Sequence, residues 1–89
     1  MVRGRLTGNQ CVKALRRAVR DKNRAEGTSY RVVPRAFLGH GSYEFWSVVD
    51  EANHDKEIAK GKTTSHMGEG VIKDFEQRFE ILFGKGWLR

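Results

Sequence analysis

Gly61-Lys62-Thr63 is the kind of tripeptide with which a phosphate-binding loop ends, where backbone amides cradle the phosphates and the lysine neutralises them. Such a loop needs a further glycine five positions before its last one, and Lys56 stands there. The strand-to-helix junction that should open at the lysine is missing too, so a nucleotide-binding loop is excluded. Cys11, His40, His54 and His66 are the soft or borderline metal ligands, separated by 29, 14 and 12 residues. Zinc sites pair their ligands within about two to five residues, and none of these spacings does. The expectation is three loop histidines, a core thiol, no metal and no cofactor. Cysteine–histidine nucleophile chemistry would need Cys11 exposed beside a base, yet helical spacing puts it on an apolar face. Ser42 and Ser47 have no identifiable base or orienting acid. Glu44, Asp50, Glu51, Asp55 and Glu57 crowd the middle connections, but strand alternation scatters them over both faces of a sheet. No constellation fills the roles an enzyme site requires, and the chain reads as non-enzymatic.

The positive charge is the residue pattern with most to say. Residues 1–35 carry ten Lys/Arg and two acids, whereas residues 36–89 carry seven Lys/Arg and nine acids. The whole excess therefore sits in the first third, as at a surface that meets an anionic partner. Lys13, Arg16, Arg17, Arg20 and Arg24 recur at helical spacing along about three turns, or roughly 16 Å. Arginine dominates, which suits bidentate pairing with phosphate or carboxylate. Arg31 and Arg35 would extend the patch if the first strand lies alongside. Tyr43 or Trp46 would add stacking if exposed; ordinary core packing is the other reading of those rings.

The elements that position these residues follow from period and punctuation. A helix is expected over about Asn9–Arg24, capped by Thr7 or Asn9 and ended by Gly27. Cys11, Val12, Leu15, Ala18 and Val19 make its buried face. Three strands follow. The first, Tyr30–Leu38, is interrupted by Pro34, which predicts an edge or kinked strand. Gly39-His40-Gly41-Ser42 makes the turn into Tyr43–Val49, with Tyr43, Phe45 and Val49 on one side and Trp46 and Val48 on the other. A polar connection over 51–55 leads to a weaker third strand, Lys56–Thr64. A closing helix over about Gly68–Phe83 has the strongest apolar stripe, Val71, Ile72, Phe75, Phe79, Leu82 and Phe83, and Trp87 and Leu88 can fold back on its end. The class is α+β, ordered α-β-β-β-α, with a three-stranded antiparallel sheet and two helices packed on one face.

Eighty-nine residues fit a single domain, 1–89, with a thin core. A lone cysteine precludes an internal disulfide and favours a reducing compartment. No apolar run reaches the ~18 residues of a membrane span, and the start has no hydrophobic leader. The expected location is cytoplasmic.

Gly4-Arg5-Leu6, Gly8-Asn9 and Lys13-Ala14, with the closing Lys85-Gly86-Trp87, resemble the small early phage T7-type inhibitor of host dGTP triphosphohydrolase. The likeness extends to length and element order, while the middle matches in layout only. It implies a non-catalytic phage protein, in the host cytoplasm, that binds a host enzyme and covers a functional surface. That family is acidic and this chain is basic, so the resemblance implies a host protein with an acidic surface instead. The element order is also similar to that of the double-stranded RNA-binding domain. That family grips phosphate with lysines at the start of its second helix, where Ser65-His66-Met67-Gly68-Glu69-Gly70 has none. Two readings result: an inhibitor of a host protein, or a basic nucleic-acid-binding domain that sets its first helix on phosphates. In both, Lys13, Arg16, Arg17, Arg20, Arg24, Arg31 and Arg35 are the expected contacts.

Overall fold

Thr7 starts the first helix, α1 (Gly8–Glu26), with a reciprocal capping box. The Gln10 amide donates to Thr7 Oγ1 (3.1 Å) and the Thr7 amide to Gln10 Oε1 (2.8 Å). Gly27 ends it in the left-handed region at φ 70°, where its amide reaches the Asn23 carbonyl. The helix is one turn longer than its apolar spacing alone suggests. The structure is a computed structural model that describes residues 6–37, 43–64 and 67–88. The expected turn at Gly39–Ser42, and His40 and His66, lie outside the described residues.

The strands β1 (Tyr30–Phe37), β2 (Tyr43–Asp50) and β3 (Lys56–Thr64) form one antiparallel sheet in the order β1-β2-β3. Pro34 does what a proline must in a sheet: it sits on an edge strand, and the β1–β2 register shifts just after it. A second shift lies between Val48 and Val49 on the β3 side. Between β2 and β3 runs a single 3-10 turn, Glu51–Asn53, capped by the Asp50 carboxylate on the Ala52 amide.

One cluster of buried side chains joins every layer: Cys11, Leu15 and Val19 from α1, Val32 and Val48 from the sheet, and Ile72, Phe75, Phe79 and Leu88 from the C-terminal part. Burying each large side chain contributes roughly 1.5–3 kcal/mol. Gly61 lets the last helices come close, because a Cβ there would stand 2.7 Å from the Phe79 ring. The molecule is 16 Å through its shortest axis, the depth of one helix layer on one sheet.

The closing helix is not continuous. It breaks at Phe79 into α2 (Glu69–Arg78) and α3 (Glu80–Phe83). Phe79 has φ −112°, ψ 7°, and its amide bonds Glu76 O three residues back instead of four. No proline or glycine marks the spot; ring packing does. Trp87 folds back among Phe75, Phe79 and Phe83, with ring centres 5.2–6.2 Å away. Its Nε1 donates to Glu76 O at 2.7 Å, and the Leu88 amide donates to the Glu76 carboxylate.

Candidate binding surface

The face of α1 that turns away from the core carries Lys13, Arg17, Arg20 and Arg24, all exposed. Heptad-like spacing makes Lys13/Arg17 and Arg20/Arg24 like-charged neighbours one turn apart, and Arg16/Arg20 a third such pair. Each destabilises an isolated helix by about 0.2–0.5 kcal/mol. No carboxylate pairs with Lys13, Arg17 or Arg24 among the described residues, and Arg20 has only Asp21 at 4.0 Å, where both side chains are largely solvated. Lys22, by contrast, sits at the flank and closes an i,i+4 pair with Glu26 at 3.0 Å.

Arg16 belongs to the edge of this stripe. Its guanidinium lies 5.8 Å from the centre of the Trp46 ring, a cation–π arrangement. Trp46 is half-buried against the core, and its indole N–H donates to Thr63 Oγ1 at 3.0 Å. It is therefore a partly buried ring, packed on the core, with an arginine at its margin.

Arg31 and Arg35 are both ion-paired, and Arg31 also borders the groove between α1 and β1 together with Arg16 and Arg20. Val32 enters the core, so alternation sends Arg31 and Val33 to the far side of the sheet. There Arg31 Nε meets Glu51 at 2.6 Å and its Nη2 meets Asp55 at 3.3 Å. Arg35 Nε donates to Ser47 Oγ (3.3 Å) and lies 3.8 Å from Glu57. Ser47 is wholly buried and donates to Glu57 at 2.6 Å. These cations are neutralised where they stand, on the face where Ser47 and Val49 are buried. The acids that looked scattered in the sequence thus have work: Glu51, Asp55 and Glu57 hold arginines, and Asp50 caps a turn. Sequence reasoning missed this because the partners lie ten or more positions apart.

An open groove of about 260 Å³ runs between α1 and β1, bordered by Arg16, Arg20, Asn23, Tyr30 and Arg31. Tyr30 is half-buried at its floor; the side chain of Tyr43 lies outside the described residues. Among the described residues no three His, Cys, Asp or Glu side chains lie together as metal ligands would. No helix among them is long and apolar enough to cross a membrane. The chain matches no protein-family model, no curated protein and no solved structure.

Proposed function

We propose that the chain is a non-catalytic binding protein that sets the exposed face of α1 on an acidic protein surface and acts by covering it, as an inhibitor of a host enzyme would. The observation that carries this reading is the stripe of Lys13, Arg17, Arg20 and Arg24, kept together at a cost in helix stability while Arg31, Arg35 and Arg78 are each paired with a carboxylate. A surface of carboxylates would relieve that repulsion and gain charge-assisted hydrogen bonds. The likeness of residues 4–14 to the phage inhibitor family supports the same role. The closing Lys85-Gly86-Trp87 adds less, because Trp87 is engaged in the core.

Nucleic acid is the second reading, supported by the same cations, whose spacing along α1 suits a row of phosphates. Two features favour protein over it. The start of α2 has Gly68 as its cap, without a side-chain bond, and Glu69 in its first turn, so it would repel phosphate. Trp46 is half-buried and its indole N–H is taken by Thr63, with the Arg16 guanidinium 5.8 Å from its ring centre, so a nucleobase would have to compete with that arginine to stack there.

The test is affinity capture from nuclease-treated bacterial lysate with the wild-type chain and with Arg17→Glu plus Arg24→Glu. The expected result is one stoichiometric enzyme, lost with the double variant and inhibited by added pure wild-type chain. Retention that needs intact nucleic acid, and that weakens with salt at a log–log slope of about −0.9 per phosphate on a duplex, would replace this reading with the second.

A further inference from the structure

One side chain shows how the outer edge of β1 takes a peptide. Asn23 donates to the Tyr30 carbonyl and accepts from the Tyr30 amide, at 2.9 Å each. Its primary amide does at one residue what a neighbouring strand does in an antiparallel ladder, where directly opposed residues exchange both bonds. The Glu51 amide meanwhile donates to the Ser29 carbonyl from the side on which β2 pairs. Main-chain groups along a strand alternate between its two sides. Tyr30, Val32 and Pro34 therefore turn theirs outward, and no strand lies beyond β1 among the described residues. Asn23 closes the first, and Pro34 has no N–H. Val32 alone offers an outside partner both a donor and an acceptor.

Val32 is also where the groove between α1 and β1 lies. Its helix wall is Arg16, Val19, Arg20 and Asn23, spaced i, i+3, i+4 and i+7. Asn23 stands beside Tyr30, and Arg16 stands near Trp46, the register partner of Pro34. The helix wall thus runs from Tyr30 past Val32 towards Pro34. Three arginines border the groove and no carboxylate does. Arg31 is held by Glu51 and Asp55. Arg16 and Arg20 are exposed, and Asp21, 4.0 Å from Arg20, is the one acid within ion-pair range of either among the described residues.

We infer that an extended acidic segment of the partner protein seats in this groove as a short antiparallel strand against Val32, with carboxylates of alternate residues on Arg16 and Arg20. The spacings agree. Arg16 and Arg20 are four residues apart on the helix, or about 6 Å along its axis, and alternate residues of a strand are about 6.7 Å apart. A residue directly opposite Val32 puts its side chain on the same side of the sheet as the Val32 side chain, which is the core side where α1 packs. The residue that bonds Val32 and the one two positions on therefore both face the arginines. Asn23 takes the place of a pairing residue at one end and Pro34 lacks an N–H at the other, so the pairing is confined to a few residues around Val32. A second copy of this chain is a poorer occupant, because pairing Val32 with its counterpart would bring the basic faces of two α1 helices together. Seating here rests on the reading of α1 as a face for an acidic protein and adds the groove to it. The two fail separately, since Arg17 and Arg24 belong to the face and not to the groove.

The probe is a blocked peptide of about six residues alternating glutamate with valine, titrated into the isotopically labelled full chain. Expected are a saturable shift of the Val32 amide and exchange with solvent slowed there by about tenfold or more. Arg16→Gln plus Arg20→Gln should weaken binding by about tenfold or more, and Arg17→Gln plus Arg24→Gln by less than about threefold. Methylating the glutamate amides, which face Val32, should abolish binding, whereas methylating the valine amides, which face solvent, should be tolerated. The same peptide with lysine for glutamate should not bind. No shift of Val32 at millimolar peptide, equal loss with the Arg17 and Arg24 pair, or equal binding of the lysine peptide would overturn the groove. Host-enzyme capture that persists alongside such a failure would leave the α1 face standing without it. Protection of Val32 that rises with protein concentration alone would overturn it in favour of a second copy, and a shift by duplex nucleic acid but not by peptide would overturn it in favour of a polyphosphate.

Discussion

Asn23 does three things with one amide. It accepts from the Tyr30 amide and the Thr28 hydroxyl, the latter at 2.7 Å, and it donates to the Tyr30 carbonyl. Replacing it with alanine strands main-chain groups of an edge strand at a partly buried place. Asn23→Ala should cost about 1–3 kcal/mol of stability in urea unfolding and make the protein more prone to associate at the β1 edge, as light scattering would register. A loss under about 0.5 kcal/mol would mean that water replaces the amide without penalty. Nothing in the sequence marks Asn23: it is one polar residue among several near the end of a basic helix, and its partners belong to the next element. Arg31 and Arg35 were opaque for a related reason. Their types suggested one continuous patch with α1, and only strand alternation plus carboxylates some twenty residues on decides that they are paired on the far side of the sheet.

At the scale of elements the sequence was more open. Apolar spacing placed α1 and the closing helix, β-branched and aromatic runs placed β1 and β2, and Pro34 marked β1 as an edge, because each of these signals is local. The break at Phe79 was hidden, since it answers to Trp87 returning from the C-terminus and to the close approach at Gly61. The stripe on α1 was read correctly as a face, but its internal repulsion is an element-scale property with its own consequence. Arg20→Glu would turn two repulsive i,i+4 pairs, with Arg16 and with Arg24, into attractive ones. The variant should melt higher by the equivalent of about 0.5–1.5 kcal/mol while losing affinity for an anionic partner. If it were instead less stable, Arg20 would be a structural residue and the stripe would lose its argument.

The whole molecule is one helix layer on a three-stranded sheet, and its two faces treat charge in opposite ways. The outer sheet face matches Arg31 and Arg35 with Glu51, Asp55 and Glu57 and buries Ser47 and Val49, whereas α1 turns Lys13, Arg17 and Arg24 to solvent without a carboxylate partner among the described residues. The arginine over Trp46 links that open face to the interior, and this arrangement makes the protein its own optical reporter. The chain has two tryptophans. Trp87 packs among Phe75, Phe79 and Phe83, while Trp46 has a guanidinium 5.8 Å from its ring centre. A partner that draws Arg16 towards its own carboxylates will change the colour and intensity of Trp46 fluorescence without a label. The signal should persist in Trp87→Phe and vanish in Trp46→Phe, so that occupancy of the α1 face can be followed in real time by light alone.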